Sequence, residues 1–216
     1  MLTMLEEVVL LAVDENSGGL RSTRPSATGY ALVGAVFFDL ALARKIDTDT
    51  EAIQIIDRSP TGSPTLDHVL AAMSERGEIT SVRQWIEEIS YRRVDLEGEA
   101  LASLIRQGIL RHEKSKRLWI IDVERFPMVD NRPQRDVRLR LAEAILSDKI
   151  PDTRDIMLVS IAEPCGLLGY VLPSEQLANR RQRIQMLCNL ETISRKVAHS
   201  INDLEVALHQ NVPRIM

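Results

Sequence analysis

The sequence has few aromatic residues and few cysteines, and each shortage excludes a class of protein. Aromatic residues make up 4% of the 216 residues, so we do not expect a surface that stacks the bases of RNA or single-stranded DNA. The two cysteines, Cys165 and Cys188, belong to no metal or redox motif, which indicates free thiols in a reducing compartment. We therefore expect a cytoplasmic protein that does not bind nucleic acid.

Membrane-spanning and export signals are also missing from the sequence. No apolar run approaches the roughly 20 residues that cross a bilayer. The N-terminus turns acidic at Glu6 and Glu7, where a signal peptide would carry basic residues. Any membrane association is therefore expected to be peripheral.

Motifs for catalysis and for metal or nucleotide binding are absent as well. The four histidines stand singly, and the phosphate-binding and nucleophile-elbow patterns do not occur. We expect no enzyme, no cofactor and no metal site. Asp39, inside an apolar segment, is interpreted as a paired core carboxylate, because an unpaired buried charge is costly. The enzyme hypothesis would gain support only if Asp39 lined an open pocket on which other polar groups converge.

The charge of the chain is unevenly distributed, although the total is only −4, from 27 Lys and Arg against 31 Asp and Glu. Residues 1–57 hold four basic and nine acidic side chains, a net charge of −5. Residues 111–140 hold nine basic and five acidic side chains, a net charge of +4. The basic stretch predicts either a surface that attracts an anionic membrane or an ordinary solvated face.

Apolar spacing predicts a mainly helical protein. The segment 27–46 is apolar on most faces and is expected to form the central helix, with Gly34 permitting close helix packing. Around it we predict helices over 3–13, from 65, and over 81–89, 96–106, 137–146, 152–162, 175–190 and 191–208. The segment 48–57 is a candidate strand. Residues 109–113 and 117–122 predict a β-hairpin with its turn at Lys114-Ser115-Lys116.

Several short stretches stand together in a recognisable order. They are LTMLEEVVLL at 2–11, GAVFFDLALARKI at 34–46, DRSPTG at 57–62, WI at 85–86, GIL at 108–110, LWIID at 118–122 and Pro127. On this ordered set, over roughly residues 2–162, the chain resembles the Golgi phosphoprotein 3 family and is similar to its prokaryotic members. The match fades beyond residue 165.

The resemblance implies a fold. It is a mainly α, single helical-bundle domain over residues 1–216, ringed by amphipathic helices, with one projecting β-hairpin and a helical C-terminal region over 173–216. In eukaryotic members the hairpin contributes to oligomerisation and membrane contact. Those members also hold Golgi glycosyltransferases by their cytoplasmic tails.

The resemblance further implies a phosphate-binding pocket for phosphatidylinositol-4-phosphate, built in the family from a Trp and several Arg. Those positions fall here on Arg24, Val33, Glu97 and Glu99, so the pocket residues are not retained, and the carboxylates would repel a phosphate. Arginines on two nearby loops are the candidate substitutes for binding lipid phosphate, and they are Arg21, Arg24, Arg92 and Arg93.

The leading hypothesis is a non-enzymatic peripheral membrane adaptor that binds anionic lipid, with a phosphoinositide implied by the family. The predicted hairpin contacts, for membrane or for a second copy, are the cations Arg111, Lys114, Lys116 and Arg117 and the apolar residues Leu118, Trp119 and Ile121. Trp119 has an equal alternative, which is packing against the bundle or a sister subunit. The competing hypothesis is a soluble scaffold or oligomer that acts through the hairpin, with protein partners and without lipid.

Overall fold

The computed structural model describes residues 2–21, 24–48, 52–76, 81–91, 94–117 and 121–210. Within these ranges the chain is mainly helical and carries two short antiparallel β-ribbons. The elements in chain order are α1 (Met4–Ala12), α2 (Pro25–Leu42), β1 (Ile46–Thr48), β2 (Ile53–Ile55), α3 (Pro64–Arg76), α4 (Val82–Tyr91), α5 (Leu96–Arg106), β3 (Glu113–Arg117), β4 (Ile121–Arg125), α6 (Arg132–Leu146), α7 (Thr153–Ala162), α8 (Ser174–Asn179), α9 (Arg181–Leu190) and α10 (Thr192–Gln210).

Helix α2 lies at the centre of the molecule, as its apolar sequence predicts. It packs against α1, α4, α7 and α10, and residues such as Phe37 and Phe38 are fully buried. The helix ends at Leu42, four residues earlier than predicted. Arg44 takes a left-handed conformation with φ 55°, and the Lys45 ammonium then turns to the Asp57 carboxylate at 2.5 Å. Arg44 and Lys45 therefore lie beyond the C-terminus of α2 and are not part of its last turn.

Gly34 allows α2 and α10 to approach closely. A Cβ atom at this position would lie 2.6 Å from Cγ1 of Val197, a buried residue of α10. Real Cβ atoms do not come so near another carbon, because the repulsion is steep at that distance. The prediction that Gly34 serves close helix packing is therefore confirmed.

Helix α1 is buried along its whole length and has a polar partner at each end. The Thr3 hydroxyl accepts the Glu6 N–H at 3.1 Å, and the Glu6 carboxylate accepts the Thr3 N–H at 2.7 Å, so the two residues form a capping box. At the other end, the buried Gln134 amide donates to the carbonyls of Leu10 and Val13 at 2.6 and 2.8 Å. These bonds satisfy the carbonyls that a helix end leaves open.

The β-hairpin is present, but its turn was predicted in the wrong place. Lys114-Ser115-Lys116 lies inside β3, and the strands are connected by residues 118–120, which lie outside the described residues. The pairing of the two arms begins before β3, where Leu110 forms a β-bridge with Met128. Near the same end of the hairpin, the Phe126 N–H donates to the Gly18 carbonyl at 2.6 Å. Continuing that pairing upward brings Glu113 opposite Arg125, so the strands run past the expected turn.

A second β-ribbon follows α2. Ile46 in β1 pairs with Ile55 in β2, which confirms a strand within the segment 48–57 and adds a small sheet to the expected hairpin. The C-terminal helices α9 and α10 pack on the core through residues that include Ile184, Leu187 and Val197. One hydrophobic core therefore runs from Met4 to Leu204.

Candidate functional site

Arg21 and Arg24, two of the predicted phosphate-binding residues, both contact the segment that follows α7. The Arg21 guanidinium lies 5.0 Å from the centre of the Tyr170 ring and forms an ion pair with Asp14. Arg24 donates from Nη1 to the Pro164 carbonyl at 3.0 Å and remains exposed. The structure thus places two cations along one short stretch of surface, each held by a partner.

The other two predicted phosphate-binding residues, Arg92 and Arg93, lie outside the described residues. The same holds for Leu118 and Trp119 in the hairpin and for the side chains of the three hairpin residues Lys116, Arg117 and Ile121, whose backbone belongs to the strands. The roles proposed for these residues stay predictions.

The described part of the hairpin balances cations with carboxylates. The register sets Lys114 opposite Glu124, with Nζ and Oε1 at 3.8 Å. Arg111 pairs with Glu113 at 2.9 Å. Opposite charges facing each other across an antiparallel pair stabilise the ladder, so these cations are not a simple basic patch.

Two arginines of the basic stretch 111–140 bind the acidic N-terminal region directly. Arg140 on α6 contacts Glu7 on α1 at 2.5 Å, and Arg138 contacts Glu15 at 3.2 Å. Arg140 also pairs with Asp155 on α7. Part of the charge asymmetry seen in the sequence is therefore an internal attraction between α1 and α6.

Glu7 is the centre of this ion-pair cluster. Its side chain is 4% exposed, and it contacts the guanidinium groups of both Arg140 and Arg154. Burial raises the pKa of Glu7, while the two arginines work in the opposite direction. The cluster ties α1 to α6 and α7 and belongs to the framework of the fold.

Asp39 is buried and caps α1 from the side of α2. Its two oxygens accept the N–H groups of Met4 and Leu5 at 2.9 and 3.3 Å. Burial nevertheless raises the pKa of Asp39 to about 6. The interpretation as a paired core carboxylate fits these bonds.

Asp39 also lies on the wall of a cavity of about 540 Å³ formed by α1, α3 and α5. Other polar groups reach this cavity, and they are Thr3, Glu6, Ser63, Thr65, Glu99, Ser103 and Arg106. Asp39 therefore shares a cavity with other polar groups, which is part of the arrangement that would support an enzyme. However, both carboxylate oxygens of Asp39 are already engaged by the helix N-terminus, which favours a structural role.

Val33 and Glu97, two positions of the family's phosphate pocket, meet in a second cavity of about 370 Å³. Burial and the neighbouring Asp95 raise the pKa of Glu97. Negative charge is therefore disfavoured at this position. Glu99 lies elsewhere, because residues two apart on a helix point in different directions. It lines the larger cavity instead, where it accepts the Thr65 hydroxyl.

Among the residues of this second cavity that sequence reasoning did not assign to it are Tyr30, Ser90 and Asp95. Only Asp95 carried a local signal, since an Asp before an apolar helical run is a typical N-cap. Its side chain accepts the Gly98 N–H at 2.9 Å and so fixes the start of α5. Tyr30 and Ser90 come from α2 and α4, and no spacing in the sequence brings these helices together.

Within the described ranges, no helix has both the length and the apolar character needed to cross a bilayer. The same part of the chain contains no group of three or more His, Cys, Asp or Glu side chains placed to hold a metal ion.

Comparison with known proteins relates the chain to one family and to one relative of that family. The family model for Golgi phosphoprotein 3 matches residues 4–204, so the similarity extends well past residue 165, where the sequence resemblance was expected to fade. The chain is also similar to the vacuolar protein sorting-associated protein 74 of Eremothecium gossypii, with 24% identity over 206 residues. That match covers 79% of this chain and 61% of the relative, so the chain spans about three-fifths of the relative's length.

Proposed function

The chain belongs to the Golgi phosphoprotein 3 family, and we propose that it is a non-enzymatic, membrane-associated adaptor that binds anionic lipid. The family match over residues 4–204 is the observation that carries the adaptor role. In this proposal the protein binds the cytoplasmic face of a membrane peripherally and offers another surface to protein partners or to a second copy.

Arg21 and Arg24 are the described cations that best support lipid binding. Both contact the segment 164–170, and Arg24 is an exposed residue. Arginine can offer paired donors to one phosphate, so two arginines on one surface suit a phosphorylated or otherwise anionic head group. In the proposal Arg92 and Arg93 add to this surface.

The hairpin supplies a second proposed membrane contact. Arg111 and Lys114 are exposed, and the residues that connect the strands include Leu118 and Trp119. A tryptophan next to cations suits the boundary between lipid head groups and acyl chains. Lys116, Arg117 and Ile121 complete this contact in the proposal.

The alternative, a scaffold that acts through the hairpin without lipid, is favoured by one set of observations. Lys114 faces Glu124 across the ladder, and Glu97 occupies a position where the resemblance implies an arginine. Both features reduce the attraction for a negative surface. Edge strands with unpaired backbone groups would still permit pairing with another chain.

Vesicle co-sedimentation with charge-reversal variants tests the two proposals. The double variant Arg21→Glu with Arg24→Glu tests the two arginines that contact the segment 164–170. The double variant Lys116→Glu with Arg117→Glu tests the hairpin. The matched control, Arg58→Glu with Arg195→Glu, removes the same charge from two exposed positions elsewhere. Vesicles are neutral, generically anionic, or contain phosphatidylinositol-4-phosphate, each at low and near-physiological salt.

The adaptor proposal predicts anionic binding that weakens with salt, because the screening length shortens to about 8 Å. It also predicts a loss of binding in at least one test variant and little change in the control. Selective retention on the phosphoinositide would show that the negative charge of Glu97 does not prevent head-group recognition. Absence of binding to every vesicle would leave the scaffold alternative.

A further inference from the structure

We propose that the exposed face of α6 binds a second copy of this chain, with the two α6 helices packed antiparallel about Leu139. This contact goes beyond the proposed lipid and hairpin contacts, because it uses a different set of residues. Leu139 is 67% exposed, whereas α6 buries its opposite face through residues that include Val137 and Leu141. Packing within its own chain therefore does not account for this leucine.

The charges beside Leu139 are the first argument. Arg135 and Glu143 lie four residues before and four residues after it, so the three side chains form one row along the helix. Both charged residues are exposed, and within the described ranges neither forms an ion pair. The other three arginines of α6 each pair with a carboxylate of their own chain. In this part of the chain, the row therefore presents an unpaired cation and an unpaired carboxylate around an apolar centre.

This order of side chains complements itself. In a two-fold symmetric contact the same patch is used by both copies, so each contact occurs twice. An antiparallel pairing centred on Leu139 sets the two leucines together. It also brings Arg135 towards the partner's Glu143 and Glu143 towards the partner's Arg135, because both charges are equally far from Leu139 along the helix.

The row also fits the commonest way in which helices pack. Side chains four residues apart form ridges, and two such ridges interdigitate when the helix axes cross at about −50°. The neighbouring row contains Ala142 and the exposed Leu146, so the groove beside Leu139 is apolar. A leucine in an apolar groove supplies the buried contact, and the flanking charges fix the register.

The size and charge of the face determine which partner it fits. A contact made by one helix face falls in the small class of interfaces, so we expect a dissociation constant on the order of 10–100 μM. An anionic membrane is a poorer partner, because Glu143 lies within the row and would be repelled. The second copy offers an opposite charge to both Arg135 and Glu143.

Sedimentation velocity of the full chain over a range of concentrations measures the monomer–dimer equilibrium. Arg135→Glu and Glu143→Arg each set like charges against each other at both ends of the contact. The double variant Arg135→Glu with Glu143→Arg restores two opposite pairs, and so does an equimolar mixture of the two single variants. Arg195→Glu is the matched control, because Arg195 is exposed on α10.

The proposal predicts a dimer that weakens about tenfold in each single variant and returns to within about threefold in the double variant and in the mixture. Leu139→Asp should abolish the dimer, because it places two carboxylates on the symmetry axis, and Arg195→Glu should leave it unchanged. A chain that stays monomeric up to about 500 μM would overturn the proposal. So would a dimer that the single variants leave intact, as a dimer held by the hairpin would be, or a double variant as weak as the single ones.

Discussion

Replacing Asp39 with asparagine should change how the stability of the protein depends on pH. The Asp39 side chain accepts two backbone N–H groups of α1, yet the residue is only 7% exposed. Burial raises its pKa to about 6, and it outweighs the two hydrogen bonds and Arg154, which act to lower the pKa. The folded protein therefore holds a proton on Asp39 more tightly than the unfolded chain does.

The size and sign of the effect follow from this pKa difference. An aspartate in an unfolded chain titrates near 3.9, so folding shifts the pKa by about 2 units, which corresponds to about 3 kcal/mol. Because the folded pKa is the higher one, this contribution to stability is fully present below about pH 4 and is lost as pH rises through about 6. A side-chain amide does not titrate in this range, so Asp39→Asn removes this dependence.

Urea unfolding followed by circular dichroism at several pH values between 4 and 7.5 measures the effect. We expect the free energy of unfolding of Asp39→Asn to rise by about 2.4 kcal/mol relative to the unmodified chain across this interval, because an unfolded aspartate is already half ionised near pH 4. Asp203→Asn, which changes an exposed carboxylate on α10, should show a nearly constant difference from the unmodified chain. A constant difference for Asp39→Asn as well would refute the reasoning.

Three further changes test the packing and polar contacts of the fold by urea unfolding. Gly34→Ala should lower the free energy of unfolding by roughly 1–3 kcal/mol, because its Cβ would clash with Val197. Gly29→Ala, in open space on the same helix, should raise the free energy of unfolding by up to about 1 kcal/mol. A loss of the same size at both positions would contradict this account. Gln134→Met leaves the carbonyls of Leu10 and Val13, at the C-terminal end of α1, without their donor and should cost about 1–3 kcal/mol. No change would mean that water replaces the amide. Arg140→Met leaves two carboxylates poorly paired and should cost about 3–5 kcal/mol at neutral pH, and a loss below about 1 kcal/mol would show that the cluster is well solvated.

Most of the helical framework can be predicted from the sequence because its signals are local. The apolar spacing that predicts helices over 3–13, 96–106 and 152–162 depends on residues within one helix each. The packing role of Gly34 can also be predicted locally, because a glycine in the interior of an apolar helix indicates close helix packing. These are the features that the structure confirms.

The hairpin turn shows where local reasoning stops. The polar tripeptide Lys114-Ser115-Lys116 has the composition of a turn, but the register that pairs Leu110 with Met128 and Glu113 with Arg125 places it within β3. The composition of the tripeptide does not indicate which residues of the two strands pair. Sequence composition identified the hairpin but not its register.

The electrostatics of the candidate site could be predicted only in part. The sequence showed opposite net charges in residues 1–57 and 111–140, and the structure brings them together through Glu7 and Arg140. Counting along α5 assigned Glu97 and Glu99 to one pocket, whereas the helix turns them into different cavities. Charge totals and positions are visible in a sequence, but the partner of each charge is set by the packing of helices.

Binding of the unmodified chain to vesicles is the measurement that tests the proposed adaptor function most directly. Neutral vesicles and vesicles with anionic lipid are compared at near-physiological salt, with the bound fraction measured by co-sedimentation. The proposal predicts retention on the anionic vesicles and little on the neutral ones, with a further gain at low salt. Equal sedimentation with both vesicle types, or with neither, would contradict it.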